Sequence, residues 1–226
     1  MERYNIFHII HKGLRAALYQ TALQLQQTDF TSEEETAEAL NKVREIVMLF
    51  DGHAHKEDDF ILPAISSYEP SVVASFEAEH EKDEALGKQL RQCLDNIESA
   101  TGLPEKCLAG KALNETFVSY MVFNLQHMAK EEDVINSILW RYYSDEQIRK
   151  IGSNIAKNVE PWIQDFYATW MLRGINTTEA VNWISAIERT APQVVFNTLL
   201  QKAEQECSPR RFRKISETLS KGLQVA

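Results

Sequence analysis

Phe50-Asp51-Gly52-His53-Ala54-His55-Lys56-Glu57-Asp58-Asp59-Phe60 is the stretch whose reading decides the fold. His53 and Glu57 are four residues apart, so on a helix they stack one turn above the other. Val43, Ile46, Val47 and Phe50 precede them on the same face, and Phe60, Ile61 and Ala64 continue it. That spacing is an amphipathic helix with an apolar stripe. A charged group on a buried stripe is costly unless it is paired or bound to a metal. His55 and Asp59 share the four-residue spacing but lie about 200° around the helix from His53, a solvated pair by position.

Two more helices repeat the device, at His80/Glu84 and His127/Glu131, and a lone His11 sits on the first helix. The first spans about 3–27, with Phe7, Ile10, Leu14, Leu18 and Leu25 as its stripe and His11 in line with them. His8, one turn earlier, sits about 60° away. Thr31 with Glu34 reads as a capping box for the second helix, which runs to about Ile65. Pro70 opens the third, whose seam is Val73, Phe76, His80, Asp83, Gly87, Leu90, Leu94 and Ile97, with Glu84 four residues after His80. The fourth runs from Pro104 to about Tyr143 and aligns Leu113, Phe117, Tyr120, Asn124, His127, Glu131, Ile135 and Ile138. In an up-down-up-down bundle, His11, His53, His80 and His127 fall roughly 12 to 23 Å from one end, compatible with a single level.

The expected fold is therefore all-α: a four-helix bundle over 1–143 and a C-terminal extension of short helices over 144–226. Ser144 with Gln147 and Asn176 with Glu179 are further helix starts, and Pro161, Pro192 and Pro209 divide the tail. Trp162, Phe166, Trp170 and Trp183 make the tail aromatic, a surface for docking on the bundle, on a protein partner or on a second copy. Eight glycines and six prolines among 226 residues suit long helices rather than a turn-rich β fold.

A formal charge of −9 argues against nucleic acid and anionic membrane surfaces as partners. No apolar run reaches the roughly 20 residues of a membrane span, and no basic-then-apolar leader opens the sequence. Cys93, Cys107 and Cys207 lack metal-ligand spacing, which fits a reducing cytoplasm.

Imidazole and carboxylate ligands suit iron, manganese or zinc, and the lack of thiolates disfavours an iron–sulfur cluster. Four histidines with two or three carboxylates exceed what one tetrahedral zinc needs. With Glu57 and Glu131 as bridges and Glu84 as a further ligand, the stoichiometry points to two metals with an open position for a small exogenous ligand.

At these residues the sequence resembles the hemerythrin-like, or HHE cation-binding, family. The likeness covers roughly residues 1–143. It is carried by His11-Lys12-Gly13-Leu14-Arg15, by His53-Ala54-His55-Lys56-Glu57 leading to Ile61-Leu62-Pro63, by Glu79-His80-Glu81, and by His127-Met128-Ala129-Lys130-Glu131-Glu132. The resemblance implies a non-haem centre of two iron ions (Fe2+/Fe3+, oxo-bridged in one form), ahead of zinc or manganese. Matched one by one, His11, His53, His80 and His127 become terminal ligands, and Glu57 and Glu131 the bridges. The implied function is binding or sensing of dioxygen, nitric oxide, peroxide or iron status. The alternatives are an enzyme consuming peroxide or nitric oxide, and a metal-stabilised interaction bundle. Oxygen-carrying members place a second histidine where this chain has Glu84, and an aspartate five residues after the last histidine where this chain has Glu131 four after. An anionic ligand in place of a neutral one favours ferric iron.

Overall fold

The computed structural model describes residues 3–223, and among them it contains nine helices and no strand. These are α1 (His8–Gln27), α2 (33–65), α3 (Pro70–Ser99), α4 (103–142), α5 (Asp145–Lys157), α6 (Pro161–Gly174), α7 (Thr177–Thr190), α8 (Gln193–Glu206) and α9 (Pro209–Leu223). The first four are the expected up-down-up-down bundle, and the rest are the short helices of the tail.

The chain divides into two compact units. Of the described residues, one unit comprises 3–7 with Ala17–Val159, and the other His8–Ala16 with 160–223. Neither edge coincides with the expected boundary at 143. In the first unit, Ile148 of α5 is fully buried in one apolar cluster with Phe7, Ile61, Leu62, Ile65, Phe76 and Leu139, so the hydrophobic side of α5 belongs to the bundle's end. Arg3 ties the same end together: its guanidinium donates to the carbonyls of Trp140 and Tyr143 at 2.9 and 2.7 Å, and Trp140 Nε1 donates back to the Tyr4 carbonyl at 2.8 Å. That clamp explains why the first helix starts at His8 instead of the expected 3.

The α2 cap also moves by one residue. Asp29 accepts from both the amide and the hydroxyl of Thr31, at 2.9 and 2.7 Å, so Thr31 is spent in a local turn. Ser32 becomes the N-cap, accepting from the Glu35 amide. The boxes at Ser144/Gln147 and Asn176/Glu179 form as the sequence predicts.

The second unit has its own core of Leu172, Ile175, Ala180, Ile184, Leu199, Ala203, Ile215 and Leu219. Arg211 donates to the carbonyls of Leu172 and Ile175, both at 2.6 Å, and so satisfies the carbonyl end of α6. Glu179 does three jobs: it closes the α7 capping box, accepts from Lys12 Nζ at 2.5 Å and meets His8 Nε2 at 2.7 Å. Burial raises the Glu179 pKa, but the bonds from Lys12, the Asn176 amide and His8 outweigh it and bring it down to about 2. A depressed folded-state pKa contributes stability that is complete above the ordinary carboxylate range and is lost as pH falls toward about 2. Glu179→Gln is therefore expected to lower stability by about 2 kcal/mol at neutral pH. In denaturant titrations from pH 7 to 2 that gap should close; a gap independent of pH would show that the charge contributes nothing.

Candidate metal centre

Both α2 and α4 change their winding at the site. Glu57–Ile61 and Glu131–Ile135 are single π-helical turns set into otherwise α-helical rods. Each begins on the glutamate four residues after a histidine. A π turn holds one extra residue, so the helix beyond it is rotated. The inward residues after Glu57 are accordingly Ile61, Leu62 and Ile65, while Phe60 and Ala64, expected on the buried stripe, are only half-buried. The sequence carries a signal of this. His53–Ile61 and His127–Ile135 read His-Ala-His-Lys-Glu-Asp-Asp-Phe-Ile and His-Met-Ala-Lys-Glu-Glu-Asp-Val-Ile, sharing His, Lys, Glu, Asp and Ile in register.

Within the first unit, Glu57, His80, His127 and Glu131 are all buried and each offers a ligand atom within 4.8 Å of the others. Glu57 and Glu131 are 2% and 0% exposed. The two oxygens of Glu57 face different histidines: Oε1 lies 3.1 Å from His53 Nε2, and Oε2 lies 3.5 Å from His80 Nε2. Glu131 Oε1 lies 3.1 Å from His127 Nε2 and 4.0 Å from His80 Nε2. His11 is fully buried on the stretch of α1 that belongs to the second unit.

Two carboxylates outside this cluster hold the imidazoles from behind. His80 Nδ1 meets Asp58 Oδ1 at 2.7 Å, and His127 Nδ1 meets Glu79 Oε2 at 2.7 Å. Lys130 caps the second pair by donating to Glu79 while lying over the Phe76 ring. Phe76 packs edge-on against His127 and Phe123 stacks on it. The sequence motifs include Glu79 and Asp58 sits in the opening stretch, but neither was given a role at the site; each is the immediate chain neighbour of a site residue on a helix that faces the next.

Glu84, expected as a further ligand, stands outside the cluster. Its side chain is 62% exposed and bound to Lys88 at 2.8 Å. The α3 seam steps from His80 to Asp83 and then Gly87, so position 84 turns to solvent. Asp83 takes the inward place, buried and accepting from Asn124 Nδ2 at 2.6 Å; burial pushes its carboxyl pKa up. His55 is exposed, with Nδ1 against the Asp51 carbonyl at 2.6 Å, and His8 is exposed against Glu179.

The donors fit a cation. Buried carboxylates need compensating positive charge, and the inner imidazole nitrogens converge on them. Without a metal, protons supply that charge. Burial pulls the His80 pKa down, but Asp58, Glu131 and Glu57 outweigh it and push it up to about 12. Burial likewise opposes charge on His127, which Glu131 and Glu79 overcome, raising it to about 9. A metal must displace these protons, so cation uptake releases protons and tightens as pH rises.

Buried imidazole and carboxylate donors drawn from successive helices define a cation-binding helical bundle. The family model of the hemerythrin HHE cation binding domain matches residues 3–139, more than half of the chain, and the chain belongs to that family. No curated protein and no solved structure matches it. No described helix is long and apolar enough to cross a membrane.

Proposed function

We propose that this chain is a non-haem di-iron protein that binds or senses dioxygen, nitric oxide or peroxide. The observation that carries the reading is Glu57, whose two oxygens are directed at two different histidines, 3.1 and 3.5 Å away. A carboxylate so placed serves two metals rather than one. In this reading His53, His80 and His127 are terminal ligands, His11 is the fourth by its place in the family motif, and Glu57 and Glu131 bridge. Bound iron would supply electron transfer and a coordination position for a small diatomic molecule or peroxide. The chain supplies the rest. Glu57 and Glu131 would offset repulsion between the cations, Asp58 and Glu79 hydrogen-bond the outer nitrogens of His80 and His127, and Phe76 and Phe123 screen His127 from bulk water.

Metal analysis of protein from iron-replete cells, purified without added metal, tests this. About two iron ions per chain are expected, as in carboxylate-bridged bundle sites. His53→Ala should lose at least one metal, whereas His55→Ala should lose none. One zinc per chain, unchanged by anaerobic iron loading, overturns the di-iron reading, and equal losses from both variants overturn the ligand assignment.

A further inference from the structure

We propose that Asp58 and Glu79 are positioning residues of the metal centre, each holding one ligand imidazole so that its inner nitrogen is presented to the cation. The inference rests on the reading of His80 and His127 as ligands. An imidazole has two ring nitrogens, and the partner of one decides whether the other carries a free lone pair. Asp58 accepts at Nδ1 of His80, and Nε2 is left facing Glu57 and Glu131 at 3.5 and 4.0 Å. Glu79 accepts at Nδ1 of His127, and Nε2 is left 3.1 Å from Glu131.

The two contacts form a relay across the helices. Asp58 on α2 holds His80 on α3, and Glu79 on α3 holds His127 on α4. The partners are neighbours in the chain: Glu57 and Asp58 grip one ring from its two nitrogens, and Glu79 precedes His80 directly. The π turn that starts at Glu57 includes Asp58, so the winding that sets the inner carboxylate also sets the outer one. The competing account is an ordinary surface pair, since the Asp58 side chain is 42% exposed and such pairs contribute little. The histidine ends of both pairs, however, are only 8% and 5% exposed. Their orientation is a property of the interior.

The test is anaerobic titration of the full-length metal-free protein with cobalt(II) against a competing chelator. The variants are Asp58→Asn, Asp58→Glu and Glu79→Gln, with Asp59→Asn as control because Asp59 is exposed and paired with Lys56 at 3.5 Å. Asp58→Asn and Glu79→Gln are expected to weaken cobalt binding about 10- to 100-fold. Their loaded forms should show a shifted cobalt visible spectrum, which a merely structural contact would not move. Asp58→Glu should recover part of the affinity, and Asp59→Asn should match wild type. Wild-type uptake of cobalt with Asp58→Asn and Glu79→Gln within about twofold of it overturns this inference alone. A wild-type protein that takes up no cobalt overturns the di-iron reading and this inference with it.

Discussion

Glu57→Gln and Glu131→Gln should each lower the occupancy of both metals together, sparing neither. Two cations held close in a low-dielectric core repel strongly, and a shared carboxylate offsets that repulsion at both at once. Gln keeps the size of Glu and some of its hydrogen bonding but removes the charge and most of its bridging capacity. Metal bound only by the folded state stabilises it by about 2.7 kcal/mol at a hundredfold excess over the dissociation constant. For a chain of this size that is a rise of roughly 5 to 10 °C in melting temperature, and the variants should lose most of it. The metal-free proteins form the necessary baseline. There, His80 and His127 hold their protons up to about 12 and 9, standing in for the cation beside Glu57 and Glu131. Gln weakens those pairs as well, but an imidazole can release its proton and become neutral, which bounds the cost. The quantity to compare is therefore the gain in melting temperature on adding iron, with Glu84→Gln as control because Glu84 is exposed on Lys88. An iron-dependent gain equal to wild type in both bridge variants would sink the shared site.

What could be read in advance, and what could not, follows from the range of the signals. The burial of Glu57, His80, His127 and Glu131 was legible because each continues an apolar stripe, and a stripe is a local property of the sequence. Pro161, Pro192 and Pro209 begin or flank helices for an equally local reason, their fixed backbone torsion and missing donor. Glu84 was expected inward from its four-residue spacing after His80, but the seam already ran through Asp83, and Asp83 takes the inward step while Glu84 pairs with Lys88 at the surface. The π turns escaped because helical periodicity assumes constant winding, whereas Glu57 and Glu131 are where winding changes. Asp58 and Glu79 escaped for a third reason: their partners lie 22 and 48 residues away on the next helix, and no periodicity encodes that register.

Gly174→Ala should destabilise the fold by about 3 kcal/mol, against the direction that helix propensity alone predicts. Ala is favoured over Gly within a helix by up to about 1 kcal/mol, so at an open position the change stabilises. Gly174 is not open. A Cβ there would stand 2.3 Å from the carbonyl oxygen of Lys12 and 3.0 Å from the amide nitrogen of Gly13. The converse holds as well, since a Cβ on Gly13 would stand 2.8 Å from the backbone nitrogen of Met171. Two helix backbones cross here with nothing between them, and backbone atoms cannot swing aside as a flexible side chain does. To admit the methyl group, α1 and α6 must separate, loosening Ile9 from the cluster formed by Leu172 and Ile175. Gly152→Ala is the matched comparison: it also lies within a helix, but its added Cβ would meet only side chains, the nearest at 3.7 Å, so stability should hold or rise. Denaturant titration of the two variants reads the difference, and a Gly174→Ala protein as stable as Gly152→Ala would show that the crossing tolerates a methyl group.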